Sequence, residues 1–411
     1  MENRKLRVAI THGDTNGIGY EIIFKTFSEP AMLELCTPII YGSPKVAAYH
    51  RNALGIQGNF TIINSAADAH SNKLNLLTTF DEEVKVDLGK PSKEAGAASL
   101  KALDRAMADY KDGLFDVLVT APINKNNIQS DDFHFCGHTE YIEERAGEGN
   151  KALMIMVNDM LRVALVTTHL PIRDVASAIT KEKIIEKATI FYNSLKRDFR
   201  ISNPRIAILA LNPHAGDGGL LGKEEEEIII PAINELCDNG IRAFGPYAAD
   251  GFFGHETYTA FDGVLAMYHD QGLIPFKCLD LGNGVNYTAG LPIVRTSPDH
   301  GTAYDIAGKN KADESSFRNA IYLAMDIFRN RIEYDEPLTN PLKKLYHEKR
   351  DDSEKVRFAI NINKQKDSDA NGEKNERGEK NEKSDKSDKS DKSDKSEKDN
   401  NNANDKRTKD N

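Results

Sequence analysis

Val163-Ala164-Leu165-Val166-Thr167-Thr168 is a short apolar run that ends in His169, followed at once by Leu170-Pro171. The pattern recurs twice. Ile206-Ala207-Ile208-Leu209-Ala210-Leu211-Asn212-Pro213 runs into His214 and then Ala215-Gly216, and Gly263-Val264-Leu265-Ala266-Met267-Tyr268 runs into His269-Asp270-Gln271-Gly272. Near-continuous apolar runs of this length, closed by Gly or Pro, read as strands buried on both faces, as in a parallel sheet. Ligands of open α/β sheets gather beyond the carboxyl ends of such strands. One histidine so placed reads as a strand-end residue with a local hydrogen bond. Three from separate strands point to a metal site of imidazoles with positions left open for water or substrate.

Outward from these runs, strand and helix signals alternate. Strands are expected at 6–10, 38–41, 60–64 and 115–119, and helices from about 20, at 94–110, 182–197, 224–237 and 315–329. Strands separated by helix-length segments argue for βαβ units with parallel pairing. Beyond about residue 343 the pattern fails. The stretch 383–398 is a Ser-Asp-Lys repeat, with almost no apolar residues to offset the entropy of ordering, so a disordered tail is expected. Val356-Arg357-Phe358-Ala359-Ile360 is the one weak strand signal within it.

The 411 residues carry a formal net charge of −10. The segment 351–411 holds 16 basic against 17 acidic residues, so the acidity belongs to the body. An acidic body offers no long-range attraction to nucleic acid or to an anionic membrane, and an anionic substrate must be held by a few local cations. The cysteines Cys36, Cys136, Cys237 and Cys278 are scattered without CxxC spacing. They read as reduced thiols, and with no apolar signal core or membrane span the expectation is a cytoplasmic protein.

Several loops carry polar groups in suggestive places. Gly13-Asp14-Thr15-Asn16-Gly17-Ile18-Gly19 either cradles a phosphate at a helix start or simply turns the chain. It matches neither G-x-G-x-x-G nor a Walker motif. In Gly137-His138-Thr139-Glu140, Thr139 is a helix N-cap or, with His138, an anion donor. After His269, Asp270 reads as a carboxylate behind the metal site. Lys277, Asn286 and Arg295 then recur at short intervals as a clamp for carboxylate or phosphate. The loop from His300 to Lys309, bounded by glycines, leaves room for a nucleotide against backbone.

With Thr167-Thr168-His169-Leu170-Pro171, Leu211-Asn212-Pro213-His214-Ala215-Gly216, Met267-Tyr268-His269-Asp270-Gln271-Gly272 and Arg295-Thr296-Ser297-Pro298-Asp299-His300-Gly301 in this order, the chain resembles the 4-hydroxythreonine-4-phosphate dehydrogenase family over residues 6–330. The resemblance implies a two-domain α/β/α, isocitrate/isopropylmalate dehydrogenase-like fold with an interdomain cleft. Residues 1–125 plus 299–345 would form one domain, 126–298 the second with the metal and the dimer interface, and 346–411 the charged tail. It implies a homodimer with a shared active site and a divalent metal (zinc, with cobalt, magnesium or manganese as alternatives) on His169, His214 and His269, the last reaching in from the partner subunit. His138, Thr139, Lys277, Asn286 and Arg295 would hold the phosphorylated substrate, and Asp250 and Asp270 would lie close to the metal, with Lys277, Asp250 and Asp270 as the candidate catalytic groups. NAD, or alternatively NADP, would lie along His300, Gly301, Asp305 and Gly308.

The implied reaction is oxidation of 4-phosphohydroxy-L-threonine to a β-keto acid that loses carbon dioxide. A sister group sharing these motifs oxidises 4-phospho-D-threonate or 4-phospho-D-erythronate. A non-redox lyase or acyltransferase on the same fold, or a non-catalytic binding protein, would be told apart by turnover without NAD or by no turnover. The chain departs from the family at Thr15-Asn16 and Tyr20, where Pro-Ala and Pro are more usual, and at Leu220, where a histidine often stands. These departures bear on cofactor preference and substrate, not on the three histidines.

Overall fold

A computed structural model describes residues 4–341 apart from 57–58, 81–82, 131–132, 136 and 281. The expected tail at 346–411, with its weak strand signal, lies outside the described residues.

Twelve strands form one sheet: β1 Leu6–Thr11, β2 Cys36–Gly42, β3 Thr61–Ile63, β4 Asn75–Thr78, β5 Val117–Thr120, β6 Leu153–Val157, β7 Arg162–Leu165, β8 Arg205–Leu209, β9 Arg242–Tyr247, β10 Gly263–Ala266, β11 Val285–Ala289 and β12 Arg295–Pro298. Their order across the sheet is β3-β4-β2-β1-β5-β12-β11-β6-β7-β10-β8-β9. The apolar runs are continuous because both faces are covered. In β1, Val8 and Ile10 belong to one core and Ala9 to the other; in β8, Ile206 and Ile208 face opposite to Ala207 and Leu209. Side chains alternate across a strand, so a strand packed on both sides must be apolar at every position.

The parallel pairing expected for βαβ units gives way to antiparallel pairing at the centre. β11 is antiparallel to both β12 and β6, and β6 is antiparallel to β7. The cause is connection length. Only residues 158–161 join β6 to β7, where Asn158 Oδ1 accepts from the backbone N–H groups of Met160 and Leu161. Only 290–294 join β11 to β12. So short a link permits a hairpin but not a crossover. The strands from β7 to β9 consequently run opposite to those of β1 to β5.

For the histidines the pairing is decisive. β10 lies between β7 and β8 and is parallel to both. The three runs that opened the sequence reading are therefore adjacent and release their histidines at the same edge. The register continues past the strands, since Val166 and Thr167 donate to the carbonyls of Ala266 and Met267.

Helices pack on both faces. Lys93–Lys111 starts where the Ser92 side chain accepts from Ala95 N–H, and Lys181–Arg197 where Thr180 accepts from Lys183 N–H. The helix expected at 224–237 begins instead with a π-helical turn, Glu225–Ile229, before Ile230–Asp238. Pro231 has no N–H for an α-type bond to Glu227, and Ile230 N–H goes to Glu225 O. The last helix, Ser315–Thr339, runs ten residues past its expected end. Arg331 anchors it there, its Nε 2.7 Å from Asp198 Oδ1 and its Nη1 donating to the Leu291 and Pro292 carbonyls. No helix among the described residues is long and apolar enough to cross a membrane.

Candidate active site

A cavity of about 200 Å³ opens where β5 and β12 meet β11 and the start of β6. Its walls include His138, Thr139, His169, Asn286, Arg295, His300 and Gly301, seven residues singled out from the sequence, together with Thr120, Lys125, Glu140 and Asp299. Residues scattered over 180 positions converge because the register aligns them: Thr288 opposes Arg295, and Asn286 opposes Ser297.

Arg295 defines the chemistry. It is 3% exposed, at the first position of β12. Its Nε and Nη2 donate to Thr120 Oγ1 (3.1 and 2.6 Å) and its Nη1 to Thr288 Oγ1 (3.1 Å). Among the described residues no carboxylate forms an ion pair with it; Glu140 contributes only at a distance, and burial lowers the guanidinium from 12.5 to about 9. A buried cation satisfied only by hydroxyls is costly, and the natural remedy is an anion brought by a ligand. Two polar atoms of other residues lining the cavity, Asn286 Oδ1 and His300 Nε2, are buried without a hydrogen-bond partner among the described residues. His138, at the start of the helix His138–Ala146, is held neutral by desolvation and by the Arg295 and Lys125 charges. It offers a neutral imidazole to a ligand at a helix N-terminus.

His169 forms the side of the cavity nearest His269. Lys125 Nζ donates to its Nε2 at 3.0 Å. Desolvation, then Lys125 and His269, push its pKa down, against the pull of Glu140; a neutral imidazole is the form that binds a metal. The His269 ring lies 6.1 Å from the His169 ring, centre to centre. Asp270 Oδ1 sits 2.7 Å from His269 Nδ1, which orients the ring and leaves Nε2 free. A carboxylate hydrogen-bonded to the far nitrogen of an imidazole is the arrangement that commonly supports a metal-ligating histidine. His214 is exposed and does not join the pair: among the described residues of one chain, no three His, Cys, Asp or Glu side chains are grouped to hold an ion. Asp250 is exposed on the short helix Ala249–Gly254. The donor set fits a divalent cation in type, with two imidazoles side by side, but the described residues of one chain supply only that pair.

Lys277 reaches the cavity rim through Asp299, with Nζ 3.2 Å from Oδ2. Asp299 is in turn held by Ser316. The proposed nucleotide loop packs against the first turn: Ile18 N–H donates to Thr302 O, and Tyr304 Oη donates to Asp14 Oδ2 at 2.8 Å. Asn127 Nδ2 reaches both Asp14 and Tyr304. Gly301 has open space where a Cβ would stand, whereas Gly308, at φ +75°, lies against Leu88; Asp305 is exposed.

Close packing accounts for the glycines of the first turn. A Cβ on Gly13 would meet Pro122 O at 2.3 Å, and one on Gly17 would meet Thr302 O at 2.8 Å. The unusual Asn16 ties this turn to residues 87–92, its side chain accepting from Asp87 N–H and donating to Lys90 O and Ser92 Oγ. Tyr20 fills a buried aromatic stack between His12 and His50.

Sequence reading passed over Lys125, Thr120 and Asp299 as site residues. Lys125 stands in a Pro-containing loop after a buried strand, the same signal that marked the histidines; Thr120 is an unremarkable strand residue until Arg295 lies against it.

The family model described as "Pyridoxal phosphate biosynthetic protein PdxA" matches residues 34–324. A 4-hydroxythreonine-4-phosphate dehydrogenase of Bacteroides thetaiotaomicron is 64% identical over 87% of this chain and 98% of its own. One from a Sulfurihydrogenibium species is 44% identical over 79% of this chain and 99% of its own. The crystal structure of a 4-hydroxythreonine-4-phosphate dehydrogenase from Klebsiella pneumoniae superposes with a TM-score of 0.68 at 32% identity, covering 80% of this chain and 99% of that one.

Proposed function

Since the chain belongs to the PdxA family of pyridoxal phosphate biosynthetic proteins, we propose that it is an NAD-dependent, metal-dependent 4-hydroxythreonine-4-phosphate dehydrogenase. It oxidises 4-phosphohydroxy-L-threonine to 2-amino-3-oxo-4-phosphooxybutanoate, which loses carbon dioxide to give 3-amino-2-oxopropyl phosphate. The observation that carries this reading is the buried guanidinium of Arg295, without an ion pair among the described residues, in the wall of one cavity with His138, Asn286 and His169.

Arg295, with His138, Thr139 and Asn286, binds the anionic end of the substrate and fixes its carbon skeleton. Lys277, released from or shared with Asp299, holds the second anionic group at the rim. His169, His214 and His269 would hold a divalent cation, zinc being the best match to imidazole donors. Such an ion, when bound, lowers the pKa of a coordinated hydroxyl and stabilises negative charge on oxygen. Asp270 keeps the His269 ring in the tautomer that presents Nε2. Asp250, the second oxygen of Asp270 or water would take the alcohol proton, since Lys277 as an ammonium has no lone pair to accept it. The loop bearing His300, Gly301, Asp305 and Gly308 would hold NAD, whose nicotinamide would supply the hydride-accepting chemistry.

One chain brings only two of the three imidazoles together, so the site is completed in a homodimer in which His214 and His269 reach the ion from different chains. Exposed apolar side chains beside the histidines support this arrangement: Leu170 and Ile172 next to His169, Leu220 and Leu221 after His214, and Ile274 after His269. Ile172 is 73% exposed and Leu220 78%, and a patch of such residues is expected where a second surface covers it. The two domains expected from the sequence would meet at this cavity, which residues 120–123, 125 and 299–301 line from the first and residues 137–140, 169, 286 and 295 from the second, although one sheet runs through it. We place the enzyme in the cytoplasm.

The test is an NAD-reduction assay with added divalent metal, comparing 4-phosphohydroxy-L-threonine with 4-phospho-D-threonate and 4-phospho-D-erythronate. Preference for the first supports the proposal. Preference for either sugar acid moves the enzyme to the sister group, and turnover without NAD overturns the redox reading.

A further inference from the structure

His214 sits on an unusual piece of backbone. Residues 214–219 have φ values of +53°, +53°, +80°, +45°, +61° and +85°, six successive residues in the left-handed region. Three of them, His214, Ala215 and Asp217, are not glycine. L-residues enter this region as isolated exceptions, so a run of them persists only where the surroundings impose it. The turn's own backbone bonds are Asp217 N–H to His214 O, Leu220 N–H to Asp217 O, and Gly219 and Leu221 N–H to Gly216 O; none of them ties it to the rest of the fold.

The imposing group is Glu225. It is 1% exposed, and no Lys or Arg forms an ion pair with it among the described residues. Its Oε1 accepts from Leu211 N–H and Asn212 N–H, both at 2.8 Å, and its Oε2 accepts from Asn212 Nδ2 at 2.9 Å. These are the last two residues before Pro213-His214, one residue beyond the end of β8. The same carboxylate lies directly beneath the turn, because a Cβ on Gly216 would stand 2.7 Å from Glu225 Oε2. Glu225 also opens the π-helical turn that Pro231 causes, and widened turns of this kind recur at functional sites. A buried carboxylate without a cation is a poor way to gain stability, and an apolar side chain would serve a purely structural role better. What it supplies is three directed acceptor contacts on the segment that aims His214.

We propose that Glu225 is the positioning residue of the metal site, its carboxylate setting the left-handed turn that presents the His214 imidazole to the ion. The inference rests on the three-imidazole site proposed above and adds a residue that touches neither ion nor substrate. Removing an outer partner of this kind lowers metal affinity by roughly 10–100-fold.

The test is titration of the full-length, metal-free protein with Co²⁺, reading both affinity and the visible absorption band of imidazole-bound cobalt, with the thermal melt of each metal-free protein recorded alongside. Glu225→Ala should weaken Co²⁺ binding about 10–100-fold and alter the band. Glu225→Gln, whose amide oxygen still accepts from both backbone N–H groups while Asn212 turns its amide, should bind within a few-fold of wild type. That rescue separates aiming of the turn from mere destabilisation. Should Glu225→Ala fail to fold, Glu225→Asp takes its place: it keeps the charge, cannot span both contacts, and should bind Co²⁺ at least several-fold more weakly. Wild-type affinity and band in a folded Glu225→Ala or Glu225→Asp protein overturn the assignment, as does a folded Glu225→Gln as impaired as Ala. If wild type itself shows no band that His169→Ala removes, the imidazole site is wrong and this inference falls with it. A band present in wild type and unchanged in the Glu225 variants rejects Glu225 alone.

Discussion

Replacing Arg295 by Met should abolish ligand binding at almost no cost in stability. The guanidinium is fully enclosed, and its fall from 12.5 to about 9 corresponds, at 1.36 kcal/mol per tenfold change in proton affinity, to about 5 kcal/mol against the buried charge. Relaxation of the surroundings makes that an upper bound. Against it stand three charge-assisted hydrogen bonds to Thr120 and Thr288, worth roughly 1.5–3 kcal/mol each once water competes, so the two sides nearly cancel. Methionine fills similar length without charge, and the two threonine hydroxyls can turn to local carbonyls. The net expectation is a change of less than about 2 kcal/mol, consistent with other buried charges replaced by apolar side chains. For a chain of this size that is a shift of less than about 3 °C in Tm. The assay is a pair of thermal melts, with and without inorganic phosphate or the phosphorylated substrate. Wild type should rise with ligand; Arg295→Met should melt within about 3 °C of it alone and not respond. A variant that loses 2 kcal/mol or more of stability, or one that still responds to phosphate, refutes the view that this cation is stored for an anion.

Acid should destabilise the fold through two buried histidines. Burial lowers His12 from 6.5 to about 3 and His50 to about 4. Both are held neutral, so their contribution is complete above about pH 6.5 and is lost as pH falls from there toward 4 and then 3. At pH 5 the loss is about 2 kcal/mol for each; urea midpoints at pH 7.5 and 5 measure it, and His12→Phe should remove about half of the difference. Lys277→Ala should raise the KM for the phosphorylated substrate tenfold or more with a smaller change in kcat, read by steady-state NAD reduction; an unchanged KM would take Lys277 out of substrate binding. Gly222→Ala places a Cβ 2.4 Å from Asn212 Nδ2 at φ +132°, so a destabilisation of about 2 kcal/mol is expected by urea unfolding, and a neutral result would mean that the segment after His214 is not held as described.

Much of this arrangement was legible in the residues themselves. The runs ending in His169, His214 and His269 are strands, and they are neighbours. Their alternation of faces between two cores explains why composition alone marked them as doubly buried. His138, Asn286 and Arg295 meet in one cavity with His169 because each lies near a Gly or Pro turn at a strand or helix end. The hairpins β6–β7 and β11–β12 were missed. Their signal, a few turn residues between apolar segments, is weak beside the stronger strand–helix alternation, and the antiparallel centre followed from it. Lys125 carries the strand-end signal of the histidines without their chemistry, and Glu225 carries no such signal. Each acts through a contact made only after folding, Lys125 on His169 and Glu225 on the backbone before His214.

Mixing two inactive variants tests the shared imidazole site most directly. His214→Ala and His269→Ala should each be without activity and without bound metal. If the two rings reach the ion from different chains of a two-fold dimer, subunit exchange yields heterodimers with one intact site each, and activity returns to about a quarter of wild type. No recovery after demonstrated exchange would mean that those rings do not meet across a dimer, and the account of the metal site would be wrong.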